Sequence, residues 1–113
     1  VRALLGNHNF EVKRKSRVDD TLYIELEQDP GAKDCWQPSG LNVTKAEYWA
    51  FVVNDTGVVL FFPTALLKRV VPEFACRMTR TDPTKENPNP TRGALIRAAY
   101  LIQQAGLDSD TPK

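Results

Sequence analysis

The sequence predicts a mixed α/β domain, and three observations carry that expectation. Stretches 10–15 and 22–27 alternate apolar and polar residues with the period of two that a half-buried strand requires. Stretches 48–53 and 58–62 are apolar on both faces, the pattern of strands inside a sheet. Stretches 65–71 and 93–106 hold their apolar residues at helical spacing.

The chain has 113 residues, 42% of them hydrophobic and 26% charged, which fits one soluble domain with a modest core. No apolar run approaches a membrane span, and the start carries no signal-peptide pattern. No membrane partner is therefore expected, and the cytoplasm is the expected compartment. A net charge of +1 gives no global attraction to nucleic acid. The local distribution differs. Residues 11–18 hold Lys13, Arg14, Lys15 and Arg17 against Glu11, and residues 68–80 hold Lys68, Arg69, Arg77 and Arg80 against Glu73. Such patches suffice to touch phosphate, and they also fit an ordinary solvated face. Cys35 and Cys76 form no C-x-x-C pair and His8 is the single histidine, which argues against zinc. Two free thiols are expected rather than a disulfide.

Taken in order, residues 2–5 look like the end of a strand and Gly6-Asn7-His8-Asn9 like a turn, so 2–15 reads as a hairpin. In 22–27, Leu22, Ile24 and Leu26 face one way and Tyr23, Glu25 and Glu27 the other. A three-strand meander then puts Phe10 and Val12 in the core with the leucines and isoleucine. It puts Glu11 and Lys13 beside Tyr23, Glu25 and Glu27 on the opposite face. Residues 28–40, with Asp-Pro-Gly and Gln-Pro-Ser-Gly, form a loop in which Trp36 plugs the core. Asn42 or Thr44 caps a short helical turn over 43–47. Strand 48–53 is central and turns through Asn54-Asp55-Thr56-Gly57 into strand 58–62, which Pro63 ends. Thr64 caps a helix that Pro72 stops. Residues 77–92 form a long polar loop. Residues 93–106 fit either one helix stopped by Gly106 or a short strand at 94–96 followed by a helix.

The chemistry starts at Glu11-Val12-Lys13. On a strand, Glu11 and Lys13 share a face about 7 Å apart. A carboxylate can hold a divalent cation, and a lysine beside it can stabilise charge on an attacking water or a phosphorane-like transition state. Glu-x-Lys alone is a common pattern, so longer segments must carry the assignment.

Those segments exist. Phe10-Glu11-Val12-Lys13-Arg14 resembles the Glu-x-Lys strand of small phage-type members of the PD-(D/E)xK nuclease superfamily, which includes restriction endonucleases and Holliday-junction resolvases. The stretch from Pro38-Ser39-Gly40-Leu41 through Thr44-Lys45-Ala46-Glu47-Tyr48-Trp49 is similar to a second segment of theirs, and Phe62-Pro63-Thr64 to their strand-to-helix junction. The resemblance covers residues 1–72 well and the rest loosely. It implies a restriction-endonuclease-like mixed β-sheet flanked by helices, and Mg2+- or Mn2+-dependent hydrolysis of DNA in a bacterial or phage-infected cell. It assigns Glu11, Lys13 and Glu25 to catalysis, and the Glu11 and Glu25 carboxylates with the Val12 carbonyl to the metal. Arg14, Lys15, Arg17, Ser39, Thr44 and Lys45 are assigned to the nucleic acid. A homodimer would pair two active sites and suit a structure-selective, resolvase-like activity.

The family's first acid, an aspartate upstream of the Glu-x-Lys strand, has no counterpart in residues 1–10. Its N-terminal helix is absent too, so residues 1–107 read as a nuclease-like domain lacking that helix, with 108–113 as a polar tail. Either the chain is truncated, or another carboxylate (Glu25 or Glu27) substitutes, or the metal site is dead. The alternative is a catalytically degenerate module of the same fold that binds DNA or a protein partner. A plain α/β domain with a solvated Glu-x-Lys is the third reading, and burial separates it from the other two.

Overall fold

The computed structural model describes residues 9–15, 19–54, 56–77, 79–81 and 88–110. Its strands are β1 (Phe10–Lys15), β2 (Thr21–Gln28), β3 (Gln37–Pro38), β4 (Tyr48–Val53), β5 (Val59–Pro63), β6 (Thr79–Thr81) and β7 (Thr91–Arg97). Its helices are α1 (Thr64–Val70) and α2 (Ala98–Asp110), with 3-10 segments at Pro30–Ala32, Gly40–Asn42 and Val71–Arg77. The architecture is mixed α/β, as the sequence predicts.

The strands form two sheets. One has the order β1-β4-β5, with β1 parallel and β5 antiparallel to the central β4. The other is antiparallel, in the order β3-β2-β7-β6. The core lies where both sheets meet the helices: Leu22 and Ile24 from β2, Trp49 and Phe51 from β4, Leu67 from α1 and Leu101 from α2 pack together. Their burial is the main stabilising term, about 1.5–3 kcal/mol for each large apolar side chain.

The expected meander does not form. β1 pairs with β4, while β2 pairs with β3 and β7. The assignment of faces on β1 is therefore corrected. Phe10 stacks on Tyr48 at 5.3 Å and meets Phe61 edge-on at 5.7 Å, outside the core. Val12 is 43% exposed. The physical reason lies in the register. Glu11, Lys13 and Lys15 stand opposite Trp49, Phe51 and Val53, three of the four buried residues of β4, and are half-buried where Val12 and Arg14 are exposed, so the charged face of β1 is the one turned inward.

Other elements differ in detail. The alternation of β2 holds as expected, with Leu22, Ile24 and Leu26 buried. Trp36 is half-buried and lies outside the core cluster; the Arg92 guanidinium packs 3.8 Å from its ring centroid and that of Arg80 at 5.7 Å, so it pins a loop to β6 and β7 rather than plugging the core. The helical turn falls at Gly40–Asn42, ahead of the expected 43–47. Thr64 is the first residue of α1 rather than its cap, and its hydroxyl donates to the Ala46 carbonyl at 2.7 Å. α1 ends at Val70, just ahead of Pro72 as expected, and the chain goes on as a 3-10 segment that contains Pro72. Strand β6 interrupts the expected loop at 77–92. Of the two readings of 93–106, strand followed by helix is the observed one, and α2 runs through Gly106 to Asp110. The hairpin expected at 2–15 and His8 fall largely or wholly outside the described residues.

Candidate active site

Strand β1 brings the first two groups. Its register with β4 sets Glu11 and Lys13, both half-buried, on the inward face. Lys13 Nζ lies 5.6 Å from the Trp49 ring centroid, so its ammonium sits over the π face of a fully buried indole. Among the described residues β1 has no strand on its other side. The space between β1 and β2 is therefore an open gap rather than a hydrogen-bonded ladder.

Strand β2 brings the third. Its pairing with β7 shifts register between Glu25 and Glu27, an irregularity that leaves Glu25 half-buried at the gap. The loop after β3 then closes one side. Gly40 has φ +55°, and a Cβ there would come 2.2 Å from the Glu25 carbonyl oxygen, so only glycine permits this approach. The Ser39 N–H and the Asn42 side-chain amide both donate to the Leu26 carbonyl, at 2.9 and 3.0 Å, and lock the loop on β2. The Thr44 hydroxyl accepts the Ala46 N–H at 3.2 Å and shapes the return to β4.

The result is a cleft of about 500 Å³ lined by Glu11, Lys13, Glu25, Ser39, Thr44 and Lys45. Groups up to thirty-four positions apart in sequence thus converge. Glu11, Glu25 and Lys45 have no ion-pair partner among the described residues. The Ser39 hydroxyl is buried and, like the Trp49 indole N–H, has no hydrogen-bond partner among the described residues. A buried polar group without a partner is costly unless something completes it.

The remaining expected residues fall elsewhere. The Val12 side chain points away from the cleft, though its backbone lies between Glu11 and Lys13. Arg14 and Lys15 line a second groove, which shares Lys13 with the first. There Arg14 Nη1 donates to the Asn54 side-chain oxygen at 3.4 Å, and Lys15 pairs with Asp19. Arg17 lies outside the described residues.

Glu11 and Glu25 are the two carboxylates that line the cleft, and oxygen donors of this kind are the ligands Mg2+ and Mn2+ take, with water filling the remaining positions. No group of three or more acidic, histidine or cysteine side chains converges among the described residues, so an all-protein cage is not built.

Sequence reasoning missed two features. Gly40 sits inside a segment singled out for its chemistry, yet its close approach to Glu25 needs the packed loop to be seen. The alternation puts Tyr23 on the Glu25 face and says nothing of its tether; its hydroxyl meets Thr91 Oγ1 at 2.8 Å. Burial raises the Tyr23 phenol above its ordinary range, the Thr91 and Thr81 bonds oppose that, and nearby Glu25 adds to it. No protein-family model, curated protein or solved structure matches this chain.

Proposed function

We propose that this chain is a metal-dependent DNA endonuclease of restriction-endonuclease-like fold. The observation that carries the reading is the meeting of Glu11, Lys13 and Glu25 in one half-buried cleft, opposite Ser39, Thr44 and Lys45. A solvated surface pair would not be walled by a loop that depends on Gly40.

Glu11, Glu25 and the Val12 carbonyl would hold Mg2+ or Mn2+. Such an ion, when bound, supplies a Lewis acid for the phosphoryl oxygen and activates water at neutral pH. Lys13 places its positive charge at the floor of the cleft, where charge builds on the phosphoryl group during attack. Trp49 beneath it is fully buried, so the charge acts against a low-dielectric wall and is worth more than in water. Ser39, Thr44 and Lys45 line the opposing wall and can hold the phosphate in line, which orients without reading sequence.

A degenerate, DNA-holding module is the second reading, favoured by the presence of only two carboxylates in the cleft. Cleavage separates the two. Supercoiled plasmid and a four-way junction are incubated with Mg2+ or Mn2+, beside Lys13→Ala. Cutting by the parent chain that Lys13→Ala abolishes supports the nuclease. Metal-independent binding without cutting supports the module.

A further inference from the structure

A second groove, of about 440 Å³, lies between β1 and β2 and shares Lys13 with the cleft that holds Glu11 and Glu25. Its two walls are chemically unlike. Lys13, Arg14 and Lys15 stand on the β1 side, while Tyr23 and Leu95 stand on the other, with Leu22 and Phe51 at the floor. Asp19 pairs with Lys15, and Arg14 alternates onto the exposed face of β1 where it reaches Asn54, so Lys13 is the cation left to face a ligand.

The apolar wall is preorganised. A Cβ at Gly93 would come 2.9 Å from Tyr23 Cζ, so the Tyr23 ring lies across a glycine that makes room for it. The hydroxyl is tethered to Thr91, whose own side chain is bonded to Thr81. Leu95 stands directly opposite Tyr23 in the β2–β7 register and is 48% exposed, with no place in the core.

A fixed aromatic ring beside an exposed leucine on one wall, and the Lys13 ammonium on the other, match a flat apolar ring joined to an anion. A nucleotide has that form. The volume lies within the roughly 300–1,000 Å³ of small-ligand pockets, which admits one nucleotide and excludes a duplex. Stacking on a protein aromatic with phosphate on adjacent cations is how single strands are held without regard to sequence.

We propose that the β1–β2 groove holds one unpaired nucleotide of the DNA, its base against Tyr23 and Leu95 and its phosphate against Lys13. The identity of the polymer rests on the nuclease reading. Because Lys13 lines both the groove and the cleft, the unpaired nucleotide adjoins the scissile phosphate. Cleavage is therefore directed to junctions between paired and unpaired DNA.

The test measures binding without metal. A fluorescein-labelled twelve-nucleotide thymidine strand is titrated in EDTA and followed by anisotropy. It is compared with the same strand carrying abasic sites and with a duplex of equal length. The parent chain should bind the intact strand about 5- to 100-fold more tightly than the abasic one, the range expected for one stacked base. Tyr23→Phe should keep that preference and Tyr23→Leu should lose it. The abasic comparison needs no variant, so a poorly folded Tyr23→Leu does not decide the matter. Equal binding of intact and abasic strands, binding of duplex as tight as of single strand, or no binding overturns the proposal. Metal-dependent cleavage is scored separately. Cutting without base-dependent binding sinks the groove and leaves the nuclease; base-dependent binding without cutting by any metal sinks the nuclease and leaves the groove.

Discussion

Asp29 and Glu11 are both carboxylates at the margin of a sheet, and the protein surrounds them in opposite ways. Asp29 is 2% exposed and accepts three backbone N–H groups, from Lys33 at 3.2 Å, Asp34 at 2.9 Å and Cys35 at 2.8 Å. Burial alone would raise its carboxyl, but those donors and the Arg80 charge hold it below the ordinary aspartate value. In return the loop keeps Ala32 and Asp34 at positive φ, a conformation that side-chain-bearing residues rarely adopt. Asp20 works similarly at the start of α2, where its carboxylate accepts the Ala99 N–H at 3.2 Å and meets Arg97 at 3.3 Å. Glu11 and Glu25 have no such partners among the described residues, although each is half-buried. Carboxylates saturated by backbone donors hold the fold. On the proposed function, the carboxylates left uncommitted in the cleft hold the metal.

This contrast breaks most readily at Lys13. Lys13→Ala should lower the cleavage rate by about 100-fold or more, the usual loss when a charge-stabilising group is removed. Its melting temperature should move by less than about 2 °C, because Lys13 is not part of the core. A plasmid-nicking assay read beside a thermal melt measures both. Comparable cleavage by the variant would place Lys13 with the surface charges.

Asp29→Ala should do the reverse. It removes the acceptor for three N–H groups, so the melting temperature should fall by roughly 5–10 °C while the surviving folded protein cuts at near-parent rate. Acid should reveal the same group. A carboxyl whose folded value is depressed contributes stability above its unfolded value, and that contribution is lost as pH falls through the folded one. Melting temperature should therefore drop below about pH 4 in the parent chain, and less steeply in Asp29→Asn. Parallel curves would remove Asp29 from the fold's stabilising groups. Asp20→Ala should have the smallest effect, about 0.5–2 kcal/mol for a lost helix cap, seen in a urea melt.

The same contrast explains what could be read in the sequence. Local patterns sufficed for β2, β4 and α1, where alternation, an apolar run or a helical stripe fixes the element and its buried side. Glu11, Lys13, Glu25, Ser39, Thr44 and Lys45 do line one cleft, but the reason the alternation gives for setting Glu25 beside Glu11, a meander, does not hold. The partner of β1 was not legible. Alternation separates two faces but does not say which is inward, and Phe10 finds Tyr48 and Phe61 on the outer one. Asp29 looked like an ordinary turn residue in Asp-Pro-Gly, since its three donors follow it in a loop without periodicity. Gly106 looked like a helix stop. It lies within α2, and a Cβ there would meet nothing within 4 Å, so the helix simply passes through it.

The most direct test of the account is nicking of supercoiled plasmid as a function of Mn2+ concentration, recorded for the parent chain, Glu11→Gln and Asp20→Asn. The parent and Asp20→Asn should nick with the same saturable dependence on Mn2+, and Glu11→Gln should not nick at any concentration. Nicking by Glu11→Gln equal to the parent's would contradict the assignment of Glu11 to the metal, and with it the distinction between fold-holding and ligand-holding carboxylates.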